Sequence, residues 1–283
     1  MKTIILLIVT SFLLISSTIY AQSGLIEWAP TGLFENGKEI FLEVVIFKPK
    51  GEGPFPTVMF NHGSTGFGDN PADFKITYTA REFAKFLTER GWLVAFPQRR
   101  GRGQSGGIYD EGFEPDRSHY TCSTKLSLAG IERALQDLDT VVKYLKSRSN
   151  VDSKKMLIGG QSRGGILSIV YAGTRTHPFK GVINFVGGWI GESCFSAKDI
   201  NTASFRRGAG FKHQTLWLYG KYDRYYSIQH SRENFDAFVA AGGKGNFITY
   251  TVPSESYSKN GHSVLYHPSL WEKAIIQFIE NIK

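Results

Sequence analysis

Cysteine is scarce in this sequence of 283 residues, which contains only Cys122 and Cys194. His, Cys and acidic residues nowhere recur at the spacings that metal sites use, so the sequence predicts no metal centre. It has no internal repeat, low-complexity tract or linker-like stretch, and it is too short for two large domains. Apart from one arginine cluster, Lys and Arg are mixed with acids along the chain. The formal charge of +8 therefore indicates mild attraction to anions and no nucleic-acid surface.

One apolar run stands near the N-terminus, where residues 1–21 predict a secretory signal peptide. Lys2 supplies the positive charge, residues 4–15 the apolar core, and Ile19-Tyr20-Ala21 the cleavage site. The apolar core is too short to span a bilayer as a stable helix, and no cysteine follows the cleavage site, so we expect neither a stable membrane anchor nor a lipid anchor. We expect export to the periplasm or the extracellular space, with an uncleaved anchor as the alternative.

The remaining residues, 22–283, predict a single α/β domain of about 260 residues, long enough for a sizeable core. Short apolar runs typical of buried strands alternate with longer stretches whose apolar residues recur at helical spacing. The predicted strands are 39–47, 57–60, 92–96, 155–158, 181–186, 216–219 and 247–252, and the predicted helices are 80–90, 126–147, 166–171, 228–241 and 270–282. This alternation indicates a mostly parallel sheet with helices on both faces, whose ligands bind beyond the carboxyl ends of the strands.

The most informative motif is Gly160-x-Ser162-x-Gly164, which lies between a predicted strand and a predicted helix. That spacing is typical of a nucleophile elbow, a turn so sharp that the serine backbone is strained and a Cβ does not fit on either side. Such a turn raises the Ser162 hydroxyl above the sheet and leaves the Arg163 amide free to bind an anion. The alternative is an ordinary glycine-rich connection.

Two later residues fit the partners that a serine nucleophile requires, a base and an acid that orients it. Asp223 follows a predicted strand, and His262 lies in the loop after the last predicted strand. The three residues arrive in the order Ser, Asp, His. Asp199 and Asp236 are weaker candidates because no strand precedes them, and His267 stands at a helix start. The alternative is that Asp223 and His262 are plain loop residues.

Acyl transfer also needs hydrogen-bond donors aimed at the developing oxyanion. We expect one from the Arg163 amide and the second from the turn His62-Gly63-Ser64, which follows the strand 57–60. The Ser64 amide is the preferred donor, and that of Thr65 is the alternative. We expect His62 to shape this turn by hydrogen bonding rather than to act as the base.

Five motifs together carry a resemblance: the histidine-glycine turn, the loop from Arg100 to Gly106, the elbow, Gly220-x-x-Asp223 and Gly261-His262. They resemble the α/β-hydrolase superfamily, and the nearest branch is the dienelactone hydrolase and prolyl oligopeptidase-like group. The resemblance covers 42–279 and implies an eight-stranded sheet, no large cap domain, a Ser162–His262–Asp223 triad, no metal and no organic cofactor. The chain departs from the group in two respects. Dienelactone hydrolases carry a cysteine nucleophile, and prolyl oligopeptidases carry a propeller domain for which this chain has no room.

The expected function is that of an exported serine hydrolase that cleaves a carboxylic ester through an acyl-enzyme intermediate. The expected partner is a small-molecule or sugar-linked ester, and the oligomeric state is left open. A serine peptidase or amidase of the prolyl oligopeptidase-like type uses the same residues and is the first alternative. A catalytically inactive binding protein is the second.

An arginine cluster, Arg99, Arg100 and Arg102, follows the strand 92–96 in a long loop. Because this loop starts at the carboxyl end of a strand, Arg100 and Arg102 are candidates for substrate binding. The alternative is that they pair with acids and hold the loop. The acids available in the loop are Asp110, Glu111 and Glu114. The spacing Gly101-x-Gly103-x-x-Gly106 formally matches a dinucleotide fingerprint, but no helix opens after it, as that fingerprint requires.

We also predict a disulfide between Cys122 and Cys194. An exported chain with two cysteines meets an oxidising compartment. The two residues lie in loops after the strands 92–96 and 181–186, which parallel topology places on the same rim. In the superfamily's strand order these strands are three places apart, or about 14 Å, a gap that only long loops close. Two small buried thiols are the alternative.

Overall fold

The structure is a computed structural model that describes residues 24–253 and 260–282. The predicted signal peptide, residues 1–21, lies outside the described residues. None of the described helices is long and apolar enough to cross a membrane. The strands are β1 (Leu25–Glu35), β2 (Lys38–Phe47), β3 (Phe55–Asn61), β4 (Leu93–Pro97), β5 (Val151–Gln161), β6 (Phe179–Phe185), β7 (Thr215–Gly220) and β8 (Gly245–Tyr250). The helices are α1 (Pro71–Phe74), α2 (Arg81–Thr88), α3 (Thr124–Lys146), α4 (Arg163–Thr174), α5 (Ala203–Gly208), α6 (Ile228–Ala240) and α7 (Pro268–Glu280), with a π-helical segment at Lys198–Thr202 and a 3-10 helix at Gly261–Tyr266.

The eight strands form one sheet in the order β1-β2-β4-β3-β5-β6-β7-β8. β2 pairs antiparallel with β1 and with β4, whereas all other neighbours are parallel. The helices pack in two groups: α4 contacts α3 and α5, whereas α2 contacts α7. The predicted fold class, an eight-stranded and mostly parallel sheet covered by helices, is confirmed. No segment within the described ranges forms a large cap domain.

Three of the strands and α-helices are absent from the sequence prediction: β1, α1 and α5. β1 is a largely exposed strand at the sheet edge, and a bulge between Pro30 and Phe34 interrupts its alternation. α1 and α5, with four and six residues, are too short to show a helical period. None of the three contains a residue of the motifs singled out above, so the predicted site does not depend on them.

The centre of the sheet carries the nucleophile motif. Met156, Leu157 and Ile158 of β5 are fully buried. β5 ends at Gln161, and α4 begins two residues later, at Arg163. All residues of α4 from Arg163 to Ala172 are buried. A helix that is apolar on all sides must be covered on all sides. The elbow therefore joins two elements that are both enclosed by the core.

A disulfide crosslinks the loops above the carboxyl edge of the sheet. It joins Cys122 to Cys194, whose Cα atoms are 5.7 Å apart. Cys122 stands near the end of the long loop after β4, and Cys194 lies in the loop after β6. Because β3 and β5 stand between those strands, the two loops reach across three strand positions. The predicted pairing is present in the structure.

We expect the double variant Cys122→Ala/Cys194→Ala to lose about 2–4 kcal/mol of unfolding free energy, since the bond closes a long ring and restricts the denatured chain. The two cysteines are 72 residues apart in sequence. Urea unfolding of the double variant and the wild type measures the difference. Alkylation of the denatured, unreduced wild-type protein provides the control: mass added at two thiols would contradict the bridge.

Candidate active site

Ser162 stands between the last residue of β5 and the first residue of α4, with φ 55° and ψ −122°. L-residues rarely adopt this conformation, and its energetic cost must be met by surrounding contacts. A Cβ on Gly160 would lie 2.4 Å from the carbonyl carbon of Gly164, and one on Gly164 would lie 2.1 Å from the carbonyl oxygen of Asn61. Backbone packing therefore requires both glycines, and the turn has the geometry of a nucleophile elbow.

Asp223 and His262 are in direct contact, with 2.8 Å between Asp223 Oδ2 and His262 Nδ1. The carboxylate is also held from its other side, because Oδ1 accepts the N–H groups of Tyr225 (2.8 Å) and Tyr226 (3.3 Å). The Asp223 side chain is 1% exposed and that of His262 is 16% exposed. A carboxylate at Nδ1 makes that nitrogen the protonated one and leaves Nε2 as the acceptor. This is the tautomer that a general base needs.

Two glycines allow the acid and the base to meet. Gly220 ends β7, three residues before Asp223, and Gly261 begins the 3-10 helix that carries His262. A Cβ on Gly220 would lie 2.2 Å from the carbonyl oxygen of Gly261, and a Cβ on Gly261 would lie 2.3 Å from that of Gly220. The two backbones are thus too close for any side chain between them.

A cavity of about 920 Å³ opens at the carboxyl edge of the sheet. Four predicted site residues line it: Ser64, Ser162, Arg163 and His262. Seven aromatic side chains line it as well: Phe67, Tyr78, Tyr120, Trp189, Tyr225, Tyr226 and Tyr266. The disulfide borders the same cavity. The structure therefore brings the predicted nucleophile, base and oxyanion donors to one place, with Asp223 buried behind the base.

The two predicted oxyanion donors come from different elements. Arg163 is the first residue of α4, so its N–H has no acceptor within the helix. In the loop after β3, Gly63 packs so close to the nucleophile that a Cβ on it would lie 3.1 Å from the serine Cβ. The N–H of Thr65 donates instead to the Tyr120 hydroxyl, at 3.2 Å. This contact favours Ser64 over Thr65 as the second donor.

His62 is fully buried and shapes the same loop. Its Nδ1 lies 2.8 Å from the carbonyl oxygen of Gly63, and its Nε2 accepts the backbone N–H of Arg99 at 3.2 Å. Burial lowers the pKa of His62 well below its ordinary value, and the charges of Arg99 and Arg102 lower it further. A neutral ring with both nitrogens engaged does not act as a base, in agreement with the sequence analysis.

Arg100 and Arg102 do not line the cavity, which corrects their prediction as substrate-binding residues. Arg100 is 6% exposed and forms a salt bridge with Asp137 of α3, which also accepts the Arg100 backbone N–H at 2.9 Å. Arg102 is 4% exposed and donates to the carbonyl oxygen of Gly63 at 3.4 Å. Both guanidinium groups are held inside the protein, so the alternative of a structural role fits the contacts.

Glu111 joins the arginine loop to the elbow. It forms a salt bridge with Arg99, and its carbonyl oxygen accepts from Arg163 Nη1 at 3.0 Å. Burial alone would raise the pKa of Glu111, but the charges of Arg99 and Arg163 lower it overall. The Arg163 guanidinium lies 3.6 Å from the ring centroid of Tyr120 and 4.7 Å from that of Trp189. The Arg163 side chain is therefore packed inside the protein, where it contacts Glu111, Tyr120 and Trp189.

The sequence prediction does not include most of the residues that line the cavity, and three of these lie next to predicted site residues: Gln161, Tyr226 and Asn260. Burial raises the pKa of the Tyr226 hydroxyl, and a hydrogen bond to Ser162 acts in the opposite direction. The hydroxyl is therefore protonated at neutral pH and lies beside Ser162. Gln161 directly precedes Ser162, and Asn260 precedes Gly261-His262. Their adjacency to motif residues is the signal in the sequence that points to them.

Comparisons with known proteins agree with this geometry. The family model described as serine aminopeptidase, S33, matches residues 77–192, which include the elbow. A protein assigned as a dienelactone hydrolase of Klebsiella pneumoniae superposes with a TM-score of 0.56 at 18% identity, over 92% of this chain and 100% of that one. The chain has the α/β-hydrolase fold. No curated protein sequence matches this chain.

Two further solved structures share the α/β-hydrolase fold. An esterase of Pyrococcus furiosus has a TM-score of 0.60 at 15% identity, over 91% of this chain and 90% of that one. The acylaminoacyl peptidase of Pyrococcus horikoshii also has a TM-score of 0.60 at 15% identity, over 92% of this chain but only 42% of that one. This chain thus matches nearly the whole esterase and less than half of the peptidase. Within residues 24–253 and 260–282, no three His, Cys, Asp or Glu side chains are grouped to hold a metal ion.

We expect Gly261→Ala to reduce ester turnover by about a hundredfold, because a displacement of about 1 Å in a catalytic group has that order of effect. The added methyl group must push the 3-10 helix away from β7 and so draw His262 from Asp223. Initial rates on a p-nitrophenyl ester measure the loss. Gly106→Ala is the matched control, since its Cβ meets nothing closer than 3.4 Å. Wild-type turnover in Gly261→Ala would show that this approach does not position the base.

Proposed function

We propose that the protein is an exported serine hydrolase that cleaves a carboxylic ester through an acyl-enzyme intermediate. Ser162 is the nucleophile, His262 the general base and Asp223 the acid that orients it. The observation that carries this proposal is the 2.8 Å hydrogen bond between Asp223 and His262, which orients the imidazole in the cavity that also contains the strained serine. Export rests on the predicted signal peptide and is supported by the disulfide, since disulfides persist in oxidising compartments.

The reaction proceeds in two halves. Ser162 Oγ attacks the ester carbonyl while His262 Nε2 takes the hydroxyl proton, and Asp223 stabilises the imidazolium that forms. The N–H groups of Arg163 and Ser64 bind the oxyanion of the tetrahedral intermediate. Its collapse expels the alcohol, which receives the proton from His262 and leaves the acyl group on the serine. Water, deprotonated by His262, then attacks the acyl carbonyl. The second tetrahedral intermediate collapses by breaking its bond to Ser162 Oγ, which takes the proton from His262, and the acid is released.

A small-molecule or sugar-linked ester fits the cavity. Its volume of about 920 Å³ lies within the range of small-ligand pockets, roughly 300–1,000 Å³. The aromatic walls offer flat apolar surfaces on which sugar or aryl rings pack, and their hydroxyl groups supply polar contacts. The side chains of Arg100 and Arg102 are bound inside the protein and do not line the cavity, so we do not expect them to contact a carboxylate on the substrate.

A peptidase is the second candidate, because the matching family model is described as a serine aminopeptidase and one structural neighbour is an acylaminoacyl peptidase. An enzyme that removes N-terminal residues needs a carboxylate to bind the substrate's ammonium group. Among the described residues that line the cavity, Glu114 is the one carboxylate. An aminopeptidase activity would therefore depend on Glu114, whereas hydrolysis of an uncharged ester would not.

The test compares p-nitrophenyl butyrate with alanine p-nitroanilide on the wild type, Ser162→Ala and Glu114→Gln. We expect the ester to be the far better substrate and Ser162→Ala to lose roughly 10⁴-fold or more of kcat. Glu114→Gln should retain wild-type kcat/KM on the ester. Comparable kcat/KM on the anilide, lost selectively in Glu114→Gln, would replace the esterase proposal by the aminopeptidase. Full ester turnover in Ser162→Ala would overturn both.

A further inference from the structure

The backbone of His262 is held on both sides by side-chain amides. Its N–H donates to Asn260 Oδ1 at 3.0 Å, and its carbonyl oxygen accepts from Gln161 Nε2 at 3.2 Å. Neither contact is part of the helical hydrogen-bond pattern of the segment Gly261–Tyr266. Each amide also connects His262 to a different member of the proposed triad.

Gln161 makes the connection to the nucleophile. It is the last residue of β5, directly before Ser162, and it is 7% exposed. The hydroxyl groups of Tyr78 and Tyr266 both donate to its Oε1, each at 3.2 Å. Two donors on the oxygen fix the orientation of the carboxamide, so that its N–H₂ faces the His262 carbonyl. Gln161 thus fixes the position of the His262 backbone relative to β5, the strand that leads into Ser162.

Asn260 makes the connection to the acid. Its Oδ1 accepts the N–H of Arg224 at 3.2 Å in addition to that of His262. Arg224 directly follows Asp223, so one side-chain oxygen joins the loop of the acid to the helix of the base. Asn260 is also the N-cap of that helix, a position where an Asn side chain satisfies an unpaired backbone N–H.

A short 3-10 helix has poor hydrogen-bond geometry of its own and needs outside contacts to hold a side chain in place. We propose that Gln161 and Asn260 are positioning residues that hold the backbone of His262 so that its imidazole reaches Asp223 through Nδ1 and Ser162 through Nε2. This proposal rests on the proposed function. Neither residue takes part in proton transfer.

The first test is Gln161→Met, which keeps the length of the side chain and removes its hydrogen bonds. We expect the second-order rate of labelling by a fluorophosphonate probe, and kcat on p-nitrophenyl butyrate, to fall about tenfold or more with KM within about threefold. The labelling rate reports how well the base activates the serine, which a purely structural amide would not change. Asn234→Leu is the matched control: it removes a buried amide that bonds Thr202 Oγ1 at 2.6 Å in another part of the fold. We expect it to lower the melting temperature and leave the labelling rate unchanged.

The second test uses Asn260, and it tests the proposal even if Gln161→Met does not fold. Asn260→Leu removes the acceptor of both N–H groups, whereas Asn260→Asp retains it. We expect the labelling rate to fall in the first variant and to recover to within about threefold of the wild type in the second. Equal rates in the wild type, Gln161→Met and Asn260→Leu would overturn the positioning roles while leaving the proposed function intact. A wild-type protein that does not label at all would instead overturn the proposed function.

Discussion

The strained backbone of Ser162 is the constraint on which the rest of the site depends. Its φ of 55° persists because its N–H donates to Phe185 O at 2.9 Å and its carbonyl oxygen accepts from Gly165 N at 2.9 Å and Gly188 N at 3.2 Å. These bonds tie the elbow to the neighbouring strand and to α4, both of which are buried. Because the backbone of Ser162 is fixed in this way, other segments of the chain must place the residues that act with it.

Buried arginines hold the turn His62-Gly63-Ser64, which contains the second proposed oxyanion donor, in place beside the elbow. The guanidinium group of Arg99 donates to the carbonyl oxygen of His62 at 3.0 Å, and that of Arg102 donates to the carbonyl oxygen of Gly63 at 3.4 Å. In a planar trans peptide the carbonyl and the following N–H point in opposite directions. Holding the Gly63 carbonyl on the arginine side therefore turns the Ser64 N–H away from the arginines. The arginine cluster thus shapes the site without lining it, and Glu111 compensates the charge of Arg99 inside the protein.

Ser162 and Asp223 were predictable because each follows a buried strand in a short local motif. Strand, glycine and acid at Asp223, for example, need no knowledge of distant contacts. The partner of Arg100 was not predictable in this way, because Asp137 lies 37 residues further along on α3 and only the packed fold brings the two together. The same holds for Gln161, whose side-chain partners are Tyr78, far upstream in the sequence, and His262 and Tyr266 of the 3-10 helix, far downstream. Local spacing identifies what a residue is able to do, whereas long-range packing decides whether it faces the cavity.

We propose that Ser162, activated by His262, is the nucleophile. The most direct test is mass mapping of peptides from wild-type protein treated with a fluorophosphonate, because the probe reacts covalently with an activated serine. We expect one adduct per chain, on the peptide that contains Ser162. An adduct on a different residue, or an unmodified Ser162 peptide after full exposure to the probe, would contradict the claim.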